Sequence, residues 1–458
     1  MERVDVAVVG GGPAGSSAAK AAADRGASVV LFEKGVPRAD RDELGPDSTD
    51  AAGMLDYWVD LMDMRPDEIP EEIIHRQLDG ATFYGPSEAV TLDSTGIPSS
   101  YPRFGFTFDR ARFDDWLGER ARAAGAEYRI GNSVTAVETT VDGDPRHELS
   151  ISDGSTVGAD YLVLADGPQR TVTMGVLNQF MPAGESMEDY LASTSANHIA
   201  YQEYRRFPEE VFEPSILKFW WGYIPGETAY PWVFPNEETV ARVGLTMPIG
   251  LDLEEVTDRE GYRLLRSDDD RVPSGEEYIR RLLEAEYGDS YDIEADFPRV
   301  ENRGKRNGTE TYPISSTQPI DSPTRAGIAV TGGAMGATSA FHEGGGHVAV
   351  RTGKIAGRLA AEDRLDRYND TWKAAIGDEL RRNISMADMV EEYTPDDWDR
   401  AFRITNRILS TGNGSLSAFN RPLAVGIDGL RIFLGYRWRK FQFRDGRYVQ
   451  FPERRYTV

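Results

Sequence analysis

The sequence predicts an α/β fold in which a parallel-sheet unit is interrupted by a sheet-rich insertion and followed by a helical end. Three observations predict it. A strand, a glycine-rich turn, a helix and a second strand follow one another before residue 34; an apolar strand running into a glycine-rich turn recurs near residue 330; and from about 176 to 311 aromatic, proline and β-branched residues replace helical spacing.

The elements follow in order. Val4 to Val9 is a short apolar strand, followed by Gly10-Gly11-Gly12-Pro13-Ala14-Gly15 and an Ala-rich helix to about Arg25. Ala27 to Phe32 is a second strand ending at Glu33, which completes a Rossmann-like β-α-β unit. Gly35 to Asp50 is charged and irregular, and Ala51 to Met64 has helical spacing. Residues 78–104 read as strand and loop. An amphipathic helix then places Phe113, Trp116, Leu117 and Ala121 on one face and ends at Gly125. Strands cross Val134 to Val137 and Asp160 to Ala165, the second leading into Asp166-Gly167. Inside the insertion, helical spacing returns only at Ser274 to Tyr287. Gly327 to Val330 is again a buried strand, followed by a second glycine-rich turn and a helix from about His347 to Glu362. The expected units are a discontinuous dinucleotide-binding domain (1–76, 101–175 and 312–375), an antiparallel-sheet substrate domain (77–100 and 176–311) and a C-terminal helical, basic-aromatic region (376–458).

Composition narrows the chemistry. The 458 residues carry 76 Asp plus Glu against 51 Lys plus Arg, a formal charge of −25, and no cysteine. Disulfide frameworks, cysteine-ligated zinc or iron–sulfur centres and thiol nucleophiles are therefore excluded. The negative charge argues against nucleic acid as a partner. Lysine stands only at Lys20, Lys34, Lys218, Lys305, Lys354, Lys373 and Lys440, so the basic residues are mostly arginine. An acidic, lysine-poor chain fits a salt-loving organism, where screening tolerates dense carboxylates. His75, His147 and His198 lack ligand-like spacing, so no metal is expected. No apolar run of about 18 residues occurs, and Glu2-Arg3 leads straight into a strand; the expected location is cytoplasmic.

The first turn carries the most explicit chemistry. In Gly10-x-Gly12-x-x-Gly15 the glycines allow a tight turn and close approach of a pyrophosphate, whose charge rests on N–H groups at the helix start beside Pro13 and Ala14. Glu33, with Lys34 next to it, is placed to hydrogen-bond ribose hydroxyls and disfavours a 2′-phosphate. The turn alone leaves NAD and FAD open.

Later motifs choose between them by resemblance. Leu162-Val163-Leu164-Ala165-Asp166-Gly167, Thr331-Gly332-Gly333-Ala334-Met335-Gly336 and Arg110 in Phe108-Asp109-Arg110-Ala111-Arg112-Phe113 resemble the flavin motifs of the group that includes aromatic hydroxylases, and stand in the same order. The resemblance implies FAD, held by Arg110, Asp166, Gly167, Gly332, Gly333, Gly345 and Gly346 as well as the first turn. In that group an acid follows the glycine of the second turn. Here that position is Gly333, and Glu343 is the nearest acid able to replace it. Tyr230-Pro231-Trp232-Val233-Phe234-Pro235, followed by Arg242-Val243-Gly244-Leu245, is similar to the Tyr-x-Trp-x-Phe-Pro signature of geranylgeranyl reductases, over roughly the first 375 residues. Ala229 replaces the family's glycine before the tyrosine, and the cysteine of some members is absent. The resemblance implies saturation of C=C bonds in isoprenoid chains of archaeal membrane lipids or related polyprenyl compounds. Its partners would be an isoprenoid lipid and an electron donor, either ferredoxin, a deazaflavin or a nicotinamide.

An isolated alkene is not polarised, so hydride transfer needs protonation before or alongside it, in a dry groove with electron-rich rings. Strand alternation places Tyr230, Trp232 and Phe234 on one face; the proton source is not identified by the sequence, His342 being a candidate acid or a helix-cap and packing residue, and Tyr230 a weaker acid. Trp220-Trp221-Gly222-Tyr223 either lines the groove or fills the core. From Arg431 to Val458 eight bases face two acids, with aromatics between them; this end either docks on the protein's own acidic surface or meets anionic lipid as a peripheral membrane contact. Rival readings are an FAD-dependent monooxygenase of the same fold and a non-catalytic isoprenoid-binding protein that has lost FAD.

Overall fold

The computed structural model describes residues 1–35, 51–411 and 426–458. The charged stretch expected to be irregular after Gly35 lies outside the described residues up to Asp50.

The first unit is built on a seven-stranded sheet. Five strands run parallel in the order Glu127–Ile130, Val29–Glu33, Glu2–Val9, Thr156–Leu164 and Ile328–Val330. His147–Ile151 and Val134–Thr139 extend it in antiparallel fashion. Val6, Ala7, Val8, Leu162, Val163 and Leu164 are wholly buried. Both faces of the sheet are covered, which is why these strands read as unbroken apolar runs.

Two helices, Pro13–Ala23 and Gly346–Ala361, cross on this sheet at backbone contact. A β-carbon at Gly353 would overlap the Ala14 carbonyl oxygen, and one at Gly357 would overlap that of Ala18. The crossing brings the two glycine-rich turns, far apart in sequence, to one place.

The second unit is a seven-stranded sheet in the order Thr309–Ile314, His198–Arg206, Val240–Pro248, Tyr230–Pro235, Ile216–Trp220, Gly80–Tyr84 and Ala89–Leu92. All pairs are antiparallel except Ile216–Trp220 with Gly80–Tyr84. The helix Gly275–Tyr287 packs Tyr278, Ile279, Leu282 and Leu283 against Val233, Ala241, Val243 and Leu245 on one face. The other face carries Tyr230, Trp232, Phe234, Ala200, Leu217 and Ile314 in a separate apolar cluster.

A small sheet, Gly53–Leu55, Gly105–Phe108 and Ile74–Leu78, joins the units. Its first strand lies where helical spacing was expected from Ala51; the helix there is confined to Asp56–Leu61. Pairing with Gly105–Phe108 and the ring of Phe234, whose Cε2 would lie 2.7 Å from a β-carbon at Gly53, draws the backbone into a strand. Arg242 ties the sheets together, donating to the carbonyls of Ala51 and Phe108.

Two elements cross the expected boundaries. Thr309–Ile314 belongs wholly to the second sheet, and Tyr368–Val390 is one helix because Trp372, Ile376, Leu380 and Ile384 form a single buried stripe. The chain end returns to the first unit: Phe451 is fully buried, Tyr448 and Tyr456 nearly so, and Asp321 N donates to Phe451 O at 2.8 Å. This part of the basic-aromatic end docks on the protein's own body. The helix Gly426–Gln442 before it keeps Leu434, Trp438 and Phe441 more than half exposed.

Gly357→Ala should force the two crossing helices apart and cost about 1–3 kcal/mol, as overpacking of a tight contact does. A lowered urea midpoint checks this.

Candidate flavin site and its aromatic wall

A cavity of about 590 Å³ opens between the two glycine-rich turns and the edge strand Thr309–Ile314. That volume lies within the usual range of a cofactor cleft. Gly10 adopts φ 101°, and a β-carbon there would overlap the Ala165 carbonyl oxygen, so the turn requires glycine. At Gly12 a β-carbon would meet nothing within 4 Å. Gly12 is the N-cap of the first helix and Gly345 that of Gly346–Ala361, and neither start has a side-chain cap. Two helix N-termini, each with the partial positive charge of uncapped N–H groups, therefore border one cavity.

Glu33 Oε2 accepts from Gly11 N at 2.7 Å and Oε1 from Gly35 N at 2.8 Å, so the acid shapes the turn as well as standing in the cavity wall. Arg110 lines the cavity and is paired through Nε with Asp114 Oδ1 at 2.8 Å, the Asp114 side chain being fully buried. Asp166 accepts from the N–H groups of Val172 and Thr173 at 2.7 and 3.0 Å, fixing the start of the helix Thr173–Asn178.

Of the residues expected to hold a cofactor, Gly10, Gly12, Pro13, Ala14, Glu33, Lys34, Arg110, Asp166, Gly167, Gly333, Gly345 and Gly346 line this cavity. Gly15 and Gly332 do not. Gly15 lies behind the turn, where a β-carbon would overlap the Gly10 carbonyl oxygen, and Gly332 N donates to Thr352 Oγ1 at 3.0 Å. At Gly333, where an acid was expected, a β-carbon would lie 3.2 Å from Pro168 Cδ, a tight contact.

Sequence reasoning missed Arg170. It is fully buried and donates to the carbonyls of Ala334 and Ser193 and to Ser315 Oγ, clamping the second turn to the segments that lead into and out of the second sheet. Burial pushes its guanidinium down to about 10. Its place three residues after Asp166-Gly167 was the available signal.

Tyr230, Trp232 and Phe234 share one face of their strand, but none lines the 590 Å³ cavity. Tyr230 stacks on Trp221 at 4.4 Å, Trp232 covers Gly244, and Phe234 presses on Gly53. Tyr312 and Ile314 of the edge strand line the cavity instead, and Ile314 belongs to the same apolar cluster as the three rings. The rings thus form a packed wall next to the cavity. Trp220, Trp221 and Tyr223 are buried and fill the core.

His342 does not suit the role of acid. Burial and the nearby His347 push its imidazole down to about 4, so it is neutral near pH 7, and it lies outside the cavity wall. Its ring packs near Trp58, and its carbonyl accepts from Tyr230 Oη at 2.9 Å. Burial, with Glu343 nearby, also pushes the Tyr230 phenol far above its ordinary range. Glu343, one residue on, does line the cavity and is protonated near neutral pH, burial holding it at about 8.

A parallel-sheet nucleotide unit whose two glycine turns share one cleft, faced by a second sheet, defines the class of dinucleotide-binding flavoproteins of aromatic-hydroxylase type. Residues 3–268 match the family described as FAD binding domain, and the chain belongs to that family. FAD is its cofactor. A digeranylgeranylglycerophospholipid reductase of Methanosphaera stadtmanae is 24% identical over 422 residues, 89% of this chain and 90% of that one. One from Thermoplasma volcanium is 31% identical over 271 residues, 57% of this chain and 61% of that one. A solved structure from Thermoplasma acidophilum, described as geranylgeranyl bacteriochlorophyll reductase-like, superposes with a TM-score of 0.67 at 22% identity, covering 97% of this chain and 99% of that one.

Gly10→Val, which drives a side chain into Ala165, should yield folded protein with little flavin. The ratio of visible flavin absorbance to protein absorbance checks this.

Proposed function

We propose that this chain is a flavin-dependent reductase that saturates C=C bonds in the geranylgeranyl chains of archaeal membrane lipid precursors. The observation that carries the reading is the cleft itself: an FAD cradle whose far wall is the edge strand of a sheet that presents its aromatic face beside it. The digeranylgeranylglycerophospholipid reductases that match about nine-tenths of the chain support the same substrate class.

The cradle residues fit FAD. The N–H groups at the start of the Pro13–Ala23 helix would hold the pyrophosphate, and Glu33 the ribose. The N-terminus of Gly346–Ala361 would face negative charge on the ring system. When bound, the flavin supplies hydride. The chain's own residues orient the alkene, exclude water through the apolar wall of Ile314, Trp232 and Phe234, and bring a proton. A separate electron donor, either ferredoxin, a deazaflavin or a nicotinamide, reloads the flavin.

A lipid substrate must be reached at a membrane, yet among the described residues no helix is long and apolar enough to cross one. The helix Gly426–Gln442 suits a peripheral contact. Leu434, Trp438 and Phe441 form one stripe, 55–58% exposed. From Arg431 to Arg447 the segment carries six bases and one acid in a chain of net charge −25, with Arg439 and Lys440 paired to Asp388 and Asp378. Such a helix rests in the headgroup layer of an anionic leaflet.

Mass spectrometry of membrane lipids from a deletion strain should show extra unsaturation in isoprenoid chains; unchanged saturation in every isoprenoid pool would count decisively against the reductase. Oxygen-dependent consumption of reduced nicotinamide without alkene reduction would favour a monooxygenase. Replacing Leu434, Trp438 and Phe441 together by serine should abolish co-flotation with anionic vesicles at low salt while leaving bound flavin unchanged.

A further inference from the structure

Glu343 is accounted for neither by the cofactor cradle nor by the aromatic wall. It sits in the turn before the Gly346–Ala361 helix with φ 56°, a backbone conformation that residues bearing a β-carbon seldom adopt. That turn buries its side chain, 4% exposed, at the seam between the two units. Oε1 accepts from Thr228 Oγ1 at 3.0 Å and the Ser316 hydroxyl faces the same carboxyl, while Oε2 is buried with no hydrogen-bond partner among the described residues. Glu343 is also part of the cavity wall, with Gly333, Gly345 and Ser315.

Among the described residues, the groups facing it offer no positive charge. His198, on the neighbouring sheet, places Nδ1 3.9 Å from Oε1. That nitrogen lies 2.8 Å from Asn197 Nδ2, a donor, and His198 Nε2 lies 3.0 Å from the Glu227 carbonyl, an acceptor. These partners define a neutral imidazole with the proton on Nε2. Burial lowers His198 further and raises Glu227 and Tyr230, the other titratable groups nearby. The other acids of the cavity wall are committed elsewhere: Asp114 to Arg110, Asp166 to a helix start, Glu33 to the first turn. A carboxyl that is buried, lacks a cation and has one oxygen unbonded retains its proton and can give it up.

We propose that Glu343 is the general acid of the alkene reduction, an inference that rests on the reductase reading above. In the step, the carboxyl O–H bond and the alkene π bond break. The proton forms a C–H bond at one carbon, and hydride from the reduced flavin forms the other at its neighbour. Glu343 is left as carboxylate and regains its proton from water when the site reopens. Thr228, which belongs to the segment leading into Tyr230-Pro231-Trp232, is the positioning residue that holds the acid.

The test compares wild type with Glu343→Gln, Glu343→Asp and Thr228→Val. Each is reduced with dithionite, then mixed without oxygen with a digeranylgeranylglyceryl phosphate lipid in water and in D₂O. Wild type should oxidise its flavin with a solvent isotope effect and slow as pH rises past about 8, because only the protonated acid works. Glu343→Gln should slow about 10²- to 10⁴-fold and lose that pH break. Glu343→Asp should recover part of the rate. Bound flavin should be equal in all four. Independently of turnover, infrared spectra should show a protonated-carboxyl band in wild type that titrates near 8 and is missing in Glu343→Gln. A Glu343→Gln enzyme with wild-type rate and pH profile overturns the proposal, as does absence of the band. Loss of flavin from Glu343→Gln also overturns it and makes the residue a cofactor anchor replacing the acid missing at Gly333. If wild type carries flavin and the band yet leaves the lipid unreduced, the reductase reading fails and the acid role with it.

Discussion

The site depends on one contact: the crossing of the helices Pro13–Ala23 and Gly346–Ala361 at backbone distance. Gly353 and Gly357 meet the carbonyls of Ala14 and Ala18, and any side chain there would push the helices apart. Each helix begins at a glycine-rich turn, so their approach sets both N-termini on the same cavity. Interiors are packed too densely to absorb such a shift locally. Separation of the helices would open the cleft and misplace the turn that carries Glu343.

The second dependency is the seam between the two sheets. Arg170 and Arg242 are both buried, and both spend their guanidinium groups largely on carbonyls across the boundary. Buried cations with well-placed acceptors hold orientation more than they add stability. Here they fix the second sheet against the flavin turn. Thr228 and Tyr230, from the segment that resembles the reductase signature, reach Glu343 Oε1 and the His342 carbonyl respectively. That segment therefore both builds the aromatic wall and fixes the turn beside the flavin cradle. Its conspicuous rings pack behind the cavity, and its less conspicuous threonine and tyrosine hydroxyls reach across the seam.

Much of the cradle was legible in the sequence because its chemistry is local. A tight turn between strand and helix requires glycine within a few residues, so Gly10 and Gly12 could be named from spacing. Glu33 follows at the end of the next strand for the same reason. Gly15 and Gly332 were expected to hold the cofactor, yet they stand outside the cavity wall, because spacing does not reveal which side of a turn faces ligand. Histidine titrates near neutrality in water, which made His342 a candidate acid by sequence; only burial depth shows that His342 is held neutral while Glu343 is held protonated.

By itself the sequence determined the α/β class, the dinucleotide-binding unit, the absence of thiol chemistry and the strand face shared by Tyr230, Trp232 and Phe234. All of these follow from patterns within a few residues or from composition. Tertiary structure decided which residues from distant segments meet: Arg170 with Ala334 and Ser315, Gly53 with Phe234, Glu343 with Thr228, and the chain end with Asp321. It also decided which ionisable groups lose their water, and hence which can carry a proton. Neither contact across long separations nor desolvation is written in local periodicity, because both arise only when the sheets close on one another.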